Sequence, residues 1–273
     1  MPYLAAVIQL TSTVDVQASF AEAEALVAEA VGMGAQFVAL PENVNFMGAE
    51  AEKLHLAEPI DGPSFQRLSG MARQHEVWLL GGTLPETSET PGKAYNTSTL
   101  WSPQGELMGR YRKIHLFDVA LGEGATHNES NTVEAGTSGT CVNTPLGNIG
   151  MTVCYDLRFA GLYRALARAG ADIITVPAAF TVPTGRDHWE VLLRAWAIEN
   201  QCFVIAPGQY GANTSKRRTF GRSMIIDPWG TVLATCPDGP GVAVASIDVD
   251  KITELRDKLP CSEHERLDAY RVP

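Results

Sequence analysis

The sequence predicts an α/β fold, namely a four-layer α-β-β-α sandwich built from two similar sheets. Strand-like apolar runs alternate with helical runs along most of the 273 residues, which indicates largely parallel sheets covered by helices. The same succession of runs occurs twice, in residues 1–135 and in residues 136–250. Because this period is far longer than that of a solenoid repeat, we interpret it as two sheets related by a pseudo-two-fold axis.

Each half begins with a strand, alternates strands with helices and closes with a hairpin. In the first half the strands are 3–10, 35–42 and 77–86, the helices end at 34 and 76, and the hairpin spans 95–113. In the second half the strands are 148–156, 171–178 and 202–210, the helices are 162–170 and 188–201, and the hairpin spans 221–236. SPQG and DPWG supply Pro and Gly to the two matching hairpin turns.

Each half has enough helices to cover about one face of its sheet, so the two uncovered faces are expected to pack together. We therefore expect one domain over residues 1–273, in which strand 241–249 follows the second hairpin. The tail, residues 251–273, is expected to lie over the surface or to reach a partner subunit.

The composition excludes several functional classes. A formal net charge of −10 argues against a protein that binds nucleic acid, because that affinity depends on clustered Lys and Arg. No apolar stretch approaches the roughly 20 residues that span a bilayer, and the N-terminus lacks the basic region of a signal peptide. The five cysteines have no CxxC spacing and are odd in number, which favours free thiols in the cytoplasm.

Three reactive side chains each come at the end of an apolar strand. They are Glu42 in QFVALPE, Lys113 in LMGRYRK and Cys154 in IGMTVCYD. Open α/β sheets have their sites at the carboxyl ends of strands, so we expect the three to meet. A thiol nucleophile, a carboxylate that moves its proton and a cation that stabilises the oxyanion are the components of a hydrolase.

The local pattern supports two of these residues in particular. Cys154 lies at a strand-turn-helix junction, where backbone N–H groups are expected to lower its pKa. Lys113 shares one face of its strand with Tyr111, so both are expected to point inward. Taken alone, Glu42 would be interpreted as a loop or helix-capping carboxylate. Because it ends a strand, as Lys113 and Cys154 do, we interpret it as a member of the same site.

The residues alone leave two choices open. In the polar, glycine-containing segment 117–132, Glu129 cannot be distinguished from Glu123, nor from the nearby Glu134. A Cys–His dyad is a rival mechanism, and its candidate bases are His115, His127 and His188. We interpret His188 as the start of a helix. No metal-ligand spacing and no phosphate-binding loop are present, so no cofactor or metal is expected.

The segments LPEN, YRKIHLFD, VCYDLRF, HWEVLLRAWAIENQC and GRSMIIDPWG resemble the nitrilase, or carbon–nitrogen hydrolase, superfamily, over nearly the whole chain. The resemblance is strongest to its Nit branch. It implies an α-β-β-α sandwich paired into a homodimer, with catalytic roles for Glu42, Lys113, Cys154 and Glu129 and an oxyanion contact from the backbone N–H of Tyr155. Gly161 stands where the family commonly has Glu, which is expected to affect packing or substrate range.

The resemblance further implies a cofactor-free amidase that acts through a thioester on a small carboxylate-bearing amide. Deaminated glutathione is the expected substrate, and the alternatives are an omega-amidase acting on 2-oxoglutaramate, a nitrilase, or a non-catalytic interaction protein. Because the chain is acidic, local cations must attract such a substrate. The candidates are Arg186, Lys216 and Arg217.

Overall fold

The layered architecture follows from the alternation of side chains along the first strands. The computed structural model describes residues 1–120, 126–215 and 217–270. The strands are β1 Tyr3–Gln9, β2 Phe37–Ala39, β3 Trp78–Thr87, β4 Ala94–Trp101, β5 Leu107–Arg112, β6 Asp118–Ala120, β7 Thr126–Asn128, β8 Val133–Glu134, β9 Thr140–Thr144, β10 Gly147–Met151, β11 Ile173–Thr175, β12 Phe203–Ala206, β13 Tyr210–Ala212, β14 Arg218–Phe220, β15 Met224–Ile226, β16 Val232–Thr235 and β17 Gly241–Ile247. The helices are α1 Val16–Gly32, α2 Glu50–Leu54, α3 Pro63–His75, α4 Ala160–Arg168, α5 Val182–Asn200, α6 Asp250–Lys258 and α7 Cys261–His264. Short 3₁₀ turns span Glu129–Asn131, Cys154–Arg158 and Leu267–Ala269.

The two sheets repeat one topology. In the first, β1, β2 and β3 run parallel and the antiparallel strands β4 and β5 follow. In the second, β10, β11 and β12 run parallel and β15 and β16 follow in the same way. The internal repeat inferred from the sequence therefore corresponds to two sheets with matching strand order.

Strand alternation assigns each face of the first sheet to a different layer. Val7 and Phe37 belong to a buried cluster shared with Ile149 and Ile173 of the second sheet. Ile8 and Val38, their neighbours in sequence, pack instead with residues of α1 and α3. Helices α4 and α5 contribute Tyr163 and Trp189, among others, to the cluster around the second sheet. These contacts confirm the predicted α-β-β-α sandwich.

One strand does not stay with its half of the sequence. β17 lies in the second half, yet it pairs antiparallel with β1 from Tyr3↔Ile247 to Gln9↔Gly241. It thereby covers the edge of the first sheet, whose unpaired N–H and C=O groups would otherwise be exposed. In the second sheet the corresponding edge strand is β9, which comes just before β10.

Helix boundaries follow ordinary capping chemistry. The side chain of Asp15 accepts the backbone N–H groups of Gln17 and Ala18 at the start of α1. Pro63 occupies the first turn of α3, where its missing N–H costs nothing. Helix α5 begins at Val182, so the prediction that His188 starts this helix is wrong. No described helix is long and apolar enough to cross a membrane.

Candidate active site

Lys113 is the centre of a buried ionic network that joins three separate elements. Its Nζ lies 3.1 Å from Oε1 of Glu42 and 2.8 Å from Oε2 of Glu129, and the Lys113 side chain is only 2% exposed. Tyr111 is also fully buried, which confirms that both residues point inward from this strand. Burial alone would lower the pKa of Lys113, but Glu129 and Glu42 outweigh it and hold that pKa well above its ordinary value.

Glu42 follows β2 and is held in place from both sides of the sandwich. Its backbone carbonyl accepts a hydrogen bond of 3.0 Å from Nε2 of Gln209. The next residue, Asn43, has a φ of 60° and donates its backbone N–H to the hydroxyl of Thr83 at 2.9 Å. This turn places the Glu42 carboxylate inside the protein, with the side chain 4% exposed. It is therefore not the exposed capping carboxylate that its sequence position alone would suggest.

Cys154 sits in a strained backbone conformation directly after the second sheet. It has a φ of 48°, a region that residues other than glycine rarely adopt, and its backbone N–H donates to the carbonyl of Pro177 at 3.0 Å. Such strain in a non-glycine residue is typical of functional sites. The conformation turns the side chain away from the strand, and Cys154 lines a cavity together with Glu42, Lys113 and Glu129.

The thiol does not have the lowered pKa that its helix junction predicts. Burial and the Glu42 carboxylate raise the pKa of Cys154 well above its ordinary value, and Lys113 and a hydrogen bond from the backbone of Ala179 offset this only in part. The expectation was wrong because burial and Glu42 outweigh any effect of the short 3₁₀ turn Cys154–Arg158 that the thiol opens. Glu42 lines the same cavity and raises the pKa of the thiol, so a proton acceptor lies beside the nucleophile.

Glu129 belongs to the network around Lys113, and Glu134 does not. Besides Lys113, Oε2 of Glu129 accepts the backbone N–H of Phe117 at 2.7 Å. Burial opposes its charge, but Lys113 and Lys53 hold the pKa of Glu129 below its ordinary value. Glu134 lies on β8 away from the cavity, and Glu123 lies outside the described residues.

Asp156 is a buried residue that the sequence analysis missed. Its Oδ2 accepts the hydroxyl of Tyr111 at 2.7 Å and the backbone N–H of Val153 at 2.8 Å. Its Oδ1 lies 3.1 Å from the backbone N and 2.7 Å from Nδ1 of His115. Asp156 thus ties the strand that ends at Lys113 to the turn that carries Cys154, across the two sheets. The only signal in the sequence was an acidic residue two positions after the thiol.

Asn96 is a second missed residue. Its Nδ2 donates to Oε1 of Glu42 at 2.9 Å and to Oε1 of Glu129 at 3.3 Å, so it bridges the two carboxylates that flank Lys113. Asn96 is 1% exposed in the middle of β4. A buried amide in a strand needs partners, and this requirement is the signal that could have identified it.

The three histidines do not form a dyad with the thiol among the described contacts. His115 stacks on Phe159 with ring centroids 3.7 Å apart and bonds Asp156. His188 lies within α5 beside Arg158, at 3.3 Å. His127 lines the cavity, and burial together with Arg217 lowers its pKa. The geometry therefore pairs Cys154 with Glu42 rather than with an imidazole.

The cavity has a volume of about 140 Å³, and its described lining includes one of the three predicted substrate-binding residues. Arg217 lines it and pairs with Glu50, with Nη1 3.4 Å from Oε1. Arg186 does not belong to the described lining, since its guanidinium bonds the neighbouring Asp187 on an exposed surface. Lys216 lies outside the described residues. Tyr155, the residue after the thiol, also lines the cavity.

Gly161 lies in the exposed first turn of α4, and a Cβ added there would meet no atom within 4 Å. The missing side chain therefore leaves no packing defect, contrary to one of the two effects expected from the sequence. No group of three or more potential metal ligands occurs among the described residues.

Comparison with known proteins supports the same chemistry. A family model described as carbon-nitrogen hydrolase matches residues 4–257. The deaminated glutathione amidase of Synechocystis sp. is 47% identical over 266 residues, which cover 96% of this chain and 98% of that protein. The protein of the same name from Homo sapiens is 44% identical over 272 residues, covering 98% and 83%. The crystal structure of Saccharomyces cerevisiae Nit3, a member of branch 10 of the nitrilase superfamily, is similar with a TM-score of 0.88 and 29% identity, covering 98% of this chain and 97% of that one.

Proposed function

Because the chain belongs to the carbon–nitrogen hydrolase family, we propose that it is a cysteine-dependent amidase whose substrate is deaminated glutathione. The substrate is supported by relatives of that name at 47% and 44% identity over nearly the full chain. The observation that carries the proposed chemistry is the meeting of the buried Cys154 thiol, Glu42, Lys113 and Glu129 in the lining of one cavity.

In the first half-reaction Cys154 attacks the amide carbon while Glu42 takes the thiol proton. The raised pKa of the thiol supports this coupling, because little thiolate exists before the substrate arrives. A base beside the thiol removes the need for a preformed thiolate. Protonated Glu42 then transfers the proton to the leaving nitrogen, the C–N bond breaks, and the acyl group remains on sulfur as a thioester.

The oxyanion of the tetrahedral intermediate is stabilised by Lys113 and by the backbone N–H of Tyr155. Lys113 suits this role because its raised pKa keeps it charged and its two carboxylate contacts fix its direction. A preorganised donor of this kind is typically worth about 3 kcal/mol of activation free energy. Glu129 acts through Lys113 and is a positioning residue.

In the second half-reaction water replaces the amine. Glu42 removes a proton from this water, the resulting hydroxide attacks the thioester, and the C–S bond breaks. The thiol recovers its proton from Glu42 and the acid product leaves. For deaminated glutathione the products are 2-oxoglutarate and cysteinylglycine.

The proposal is tested by measuring 2-oxoglutarate release from deaminated glutathione. Cys154→Ala protein should be inactive, whereas Cys261→Ala, which removes an exposed thiol on α7, should retain full activity. A thioester adduct at Cys154 should appear by mass spectrometry after rapid quenching. Full activity of Cys154→Ala protein would refute the mechanism, and parallel assays with 2-oxoglutaramate and a nitrile test the two related activities.

The homodimer and the cytoplasmic location remain proposals. The dimer is supported by exposed apolar side chains on α5, where Val191 is 67% and Ile198 is 49% exposed. Trp229 of the neighbouring β15–β16 hairpin is 67% exposed as well. An equilibrium sedimentation measurement determines whether this face pairs two chains.

A further inference from the structure

The cavity is lined by a largely buried lysine whose ammonium group has no described protein partner. Lys53 lies on α2, is 9% exposed and lines the cavity. No hydrogen bond and no ion pair within 4 Å connects its Nζ to any described residue. A lysine this deeply buried usually has a partner for its charge, because burial of most of the side chain limits the hydration of the ammonium. The missing partner is therefore expected to be a ligand in the cavity.

The other cations of the described lining differ from Lys53 in this respect. Lys113 contacts Glu42 and Glu129, and Arg217 contacts Glu50. Among the described lining residues, three Glu are matched by three Lys or Arg, in a chain of net charge −10. Of these six charged groups only Lys53 has no described contact, so it is the one available for an incoming anion.

A second observation lies on the same helix. Glu50 and Lys53 are three residues apart on α2 and face the same side, so the Glu50–Arg217 pair lies beside the free ammonium. Nε of Arg217 and Oε2 of Glu50 are buried and have no described hydrogen-bond partner. A buried donor and a buried acceptor that lack partners in a cavity indicate that a ligand or water completes their hydrogen bonds.

Lys53 also affects the inner wall of the cavity. Burial opposes the charge of Glu129, and Lys113 first and Lys53 second lower the pKa of Glu129. The Lys53 ammonium therefore lies near the reacting centre without bonding to it. A small acyl or amine group attached to the scissile amide would extend toward this position.

We propose that Lys53, with Arg217 beside it, binds a carboxylate of the substrate and so selects amides that carry a negative charge away from the scissile bond. This inference rests on the proposed amidase function. An ammonium and a guanidinium both form charge-assisted hydrogen bonds with carboxylate oxygens, and each such bond is about twice as strong as a neutral one. Deaminated glutathione has one carboxylate on its acyl part and one on its amine part, and either can be the group bound.

The test compares Lys53→Met with wild type on three amides. One has a carboxylate only on the acyl part (2-oxoglutaramate), one only on the amine part (butanoyl-cysteinylglycine), and one has none (butanamide). For the amide whose carboxylate is bound, kcat/KM should fall by about ten- to hundredfold, mainly through KM. The loss for butanamide should be at least about fivefold smaller, since its transition state uses none of this contact.

Two further variants separate charge from structure. Lys53→Arg should restore most of the lost kcat/KM, because a cation returns to the same position. Lys251→Met removes an equal charge from the exposed surface of α6 and should have no effect. An equal loss for all three amides would overturn the proposal, because Lys53 would then act through Glu129. The absence of a loss with either carboxylate-bearing amide would overturn it as well.

Failure of the proposed function gives a different result. Wild-type protein that hydrolyses none of the three amides would refute the amidase function, and the carboxylate site would then be tested by binding alone. Calorimetric titration of Cys154→Ala protein with glutarate should show binding that Lys53→Met weakens about tenfold or more. Equal binding by both proteins, or no binding by either, would overturn the site.

Discussion

Replacing Asp156 by Asn tests whether one buried carboxylate holds the two halves of the site together. Each carboxylate oxygen accepts two hydrogen bonds, one from a backbone N–H and one from a side chain. An Asn side chain retains one oxygen and presents an NH₂ group in place of the other. In either orientation of the amide, its NH₂ group faces the backbone N–H of Val153 or of His115. A backbone N–H can only donate, so it loses its acceptor, whereas the Tyr111 hydroxyl or the His115 ring can accept a hydrogen bond from the NH₂ group instead.

The cost follows from these contacts. A buried N–H left without an acceptor costs about 1–3 kcal/mol, and the remaining bonds weaken because their acceptor is no longer charged. We expect the free energy of unfolding to fall by about 3 kcal/mol, which corresponds to a decrease in Tm of roughly 6–12 °C for a chain of this size. Activity should fall as well, because a shift of about 1 Å between Lys113 and Cys154 can cost about a hundredfold in rate.

The assay is urea unfolding of both proteins at neutral pH, combined with kcat/KM on the same preparations. The matched control is Asp227→Asn in the β15–β16 turn. Asp227 is only half-buried and accepts the backbone N–H groups of Trp229 at 3.0 Å and Thr231 at 2.8 Å. This change should cost less than about 1 kcal/mol and leave activity intact. The argument fails if Asp156→Asn protein has wild-type stability and activity, or if both variants lose equal stability.

Three further predictions concern the buried network. Lys113→Met leaves Glu42 and Glu129 without their shared cation, so the free energy of unfolding measured in urea should fall by about 3–5 kcal/mol. Unchanged stability would show that the network is not ionic. In Glu42→Gln protein, the rate of alkylation of Cys154 by a neutral reagent should rise about tenfold for each unit increase in pH around neutrality, because the thiol must ionise without a base. A pH-independent rate would mean that the thiolate already exists. The lowered pKa of Glu129 gives stability that is present above its ordinary value of 4.5 and is lost as the pH falls below it. The difference in unfolding free energy between wild type and Glu129→Gln should therefore be largest near pH 7 and shrink in acid, and a constant difference would contradict a role for the charge.

Local sequence patterns were sufficient for the fold and for most of the candidate site. The two-residue period of the strands placed Tyr111 and Lys113 on one buried face, and the internal repeat indicated two matching sheets. Glu42 and Cys154 were identifiable because both follow apolar strands, whose carboxyl ends are where sites form. Glu129 required the family resemblance, since nothing in its own segment distinguished it from other acidic residues nearby.

Contacts between distant elements were not readable from these patterns. The pairing of β17 with β1 joins residues more than 200 positions apart, and nothing in either strand specifies its partner. Asn96, Asp156 and Lys53 are polar residues whose significance depends on being buried next to particular groups from other elements. The direction of the pKa shift of Cys154 was mispredicted for the same reason, because burial and the Glu42 carboxylate outweigh the local turn.

The sequence by itself thus determined the layered fold and the chemical groups at the strand ends, because periodicity and strand order are local properties of the chain. Only the tertiary structure decided how these groups interact: which carboxylates share Lys113, why the thiol stays protonated, and which cation is left for a ligand. Charges interact over a few ångströms in a medium of low polarity, so their behaviour depends on distances and burial that arise when separate elements pack together.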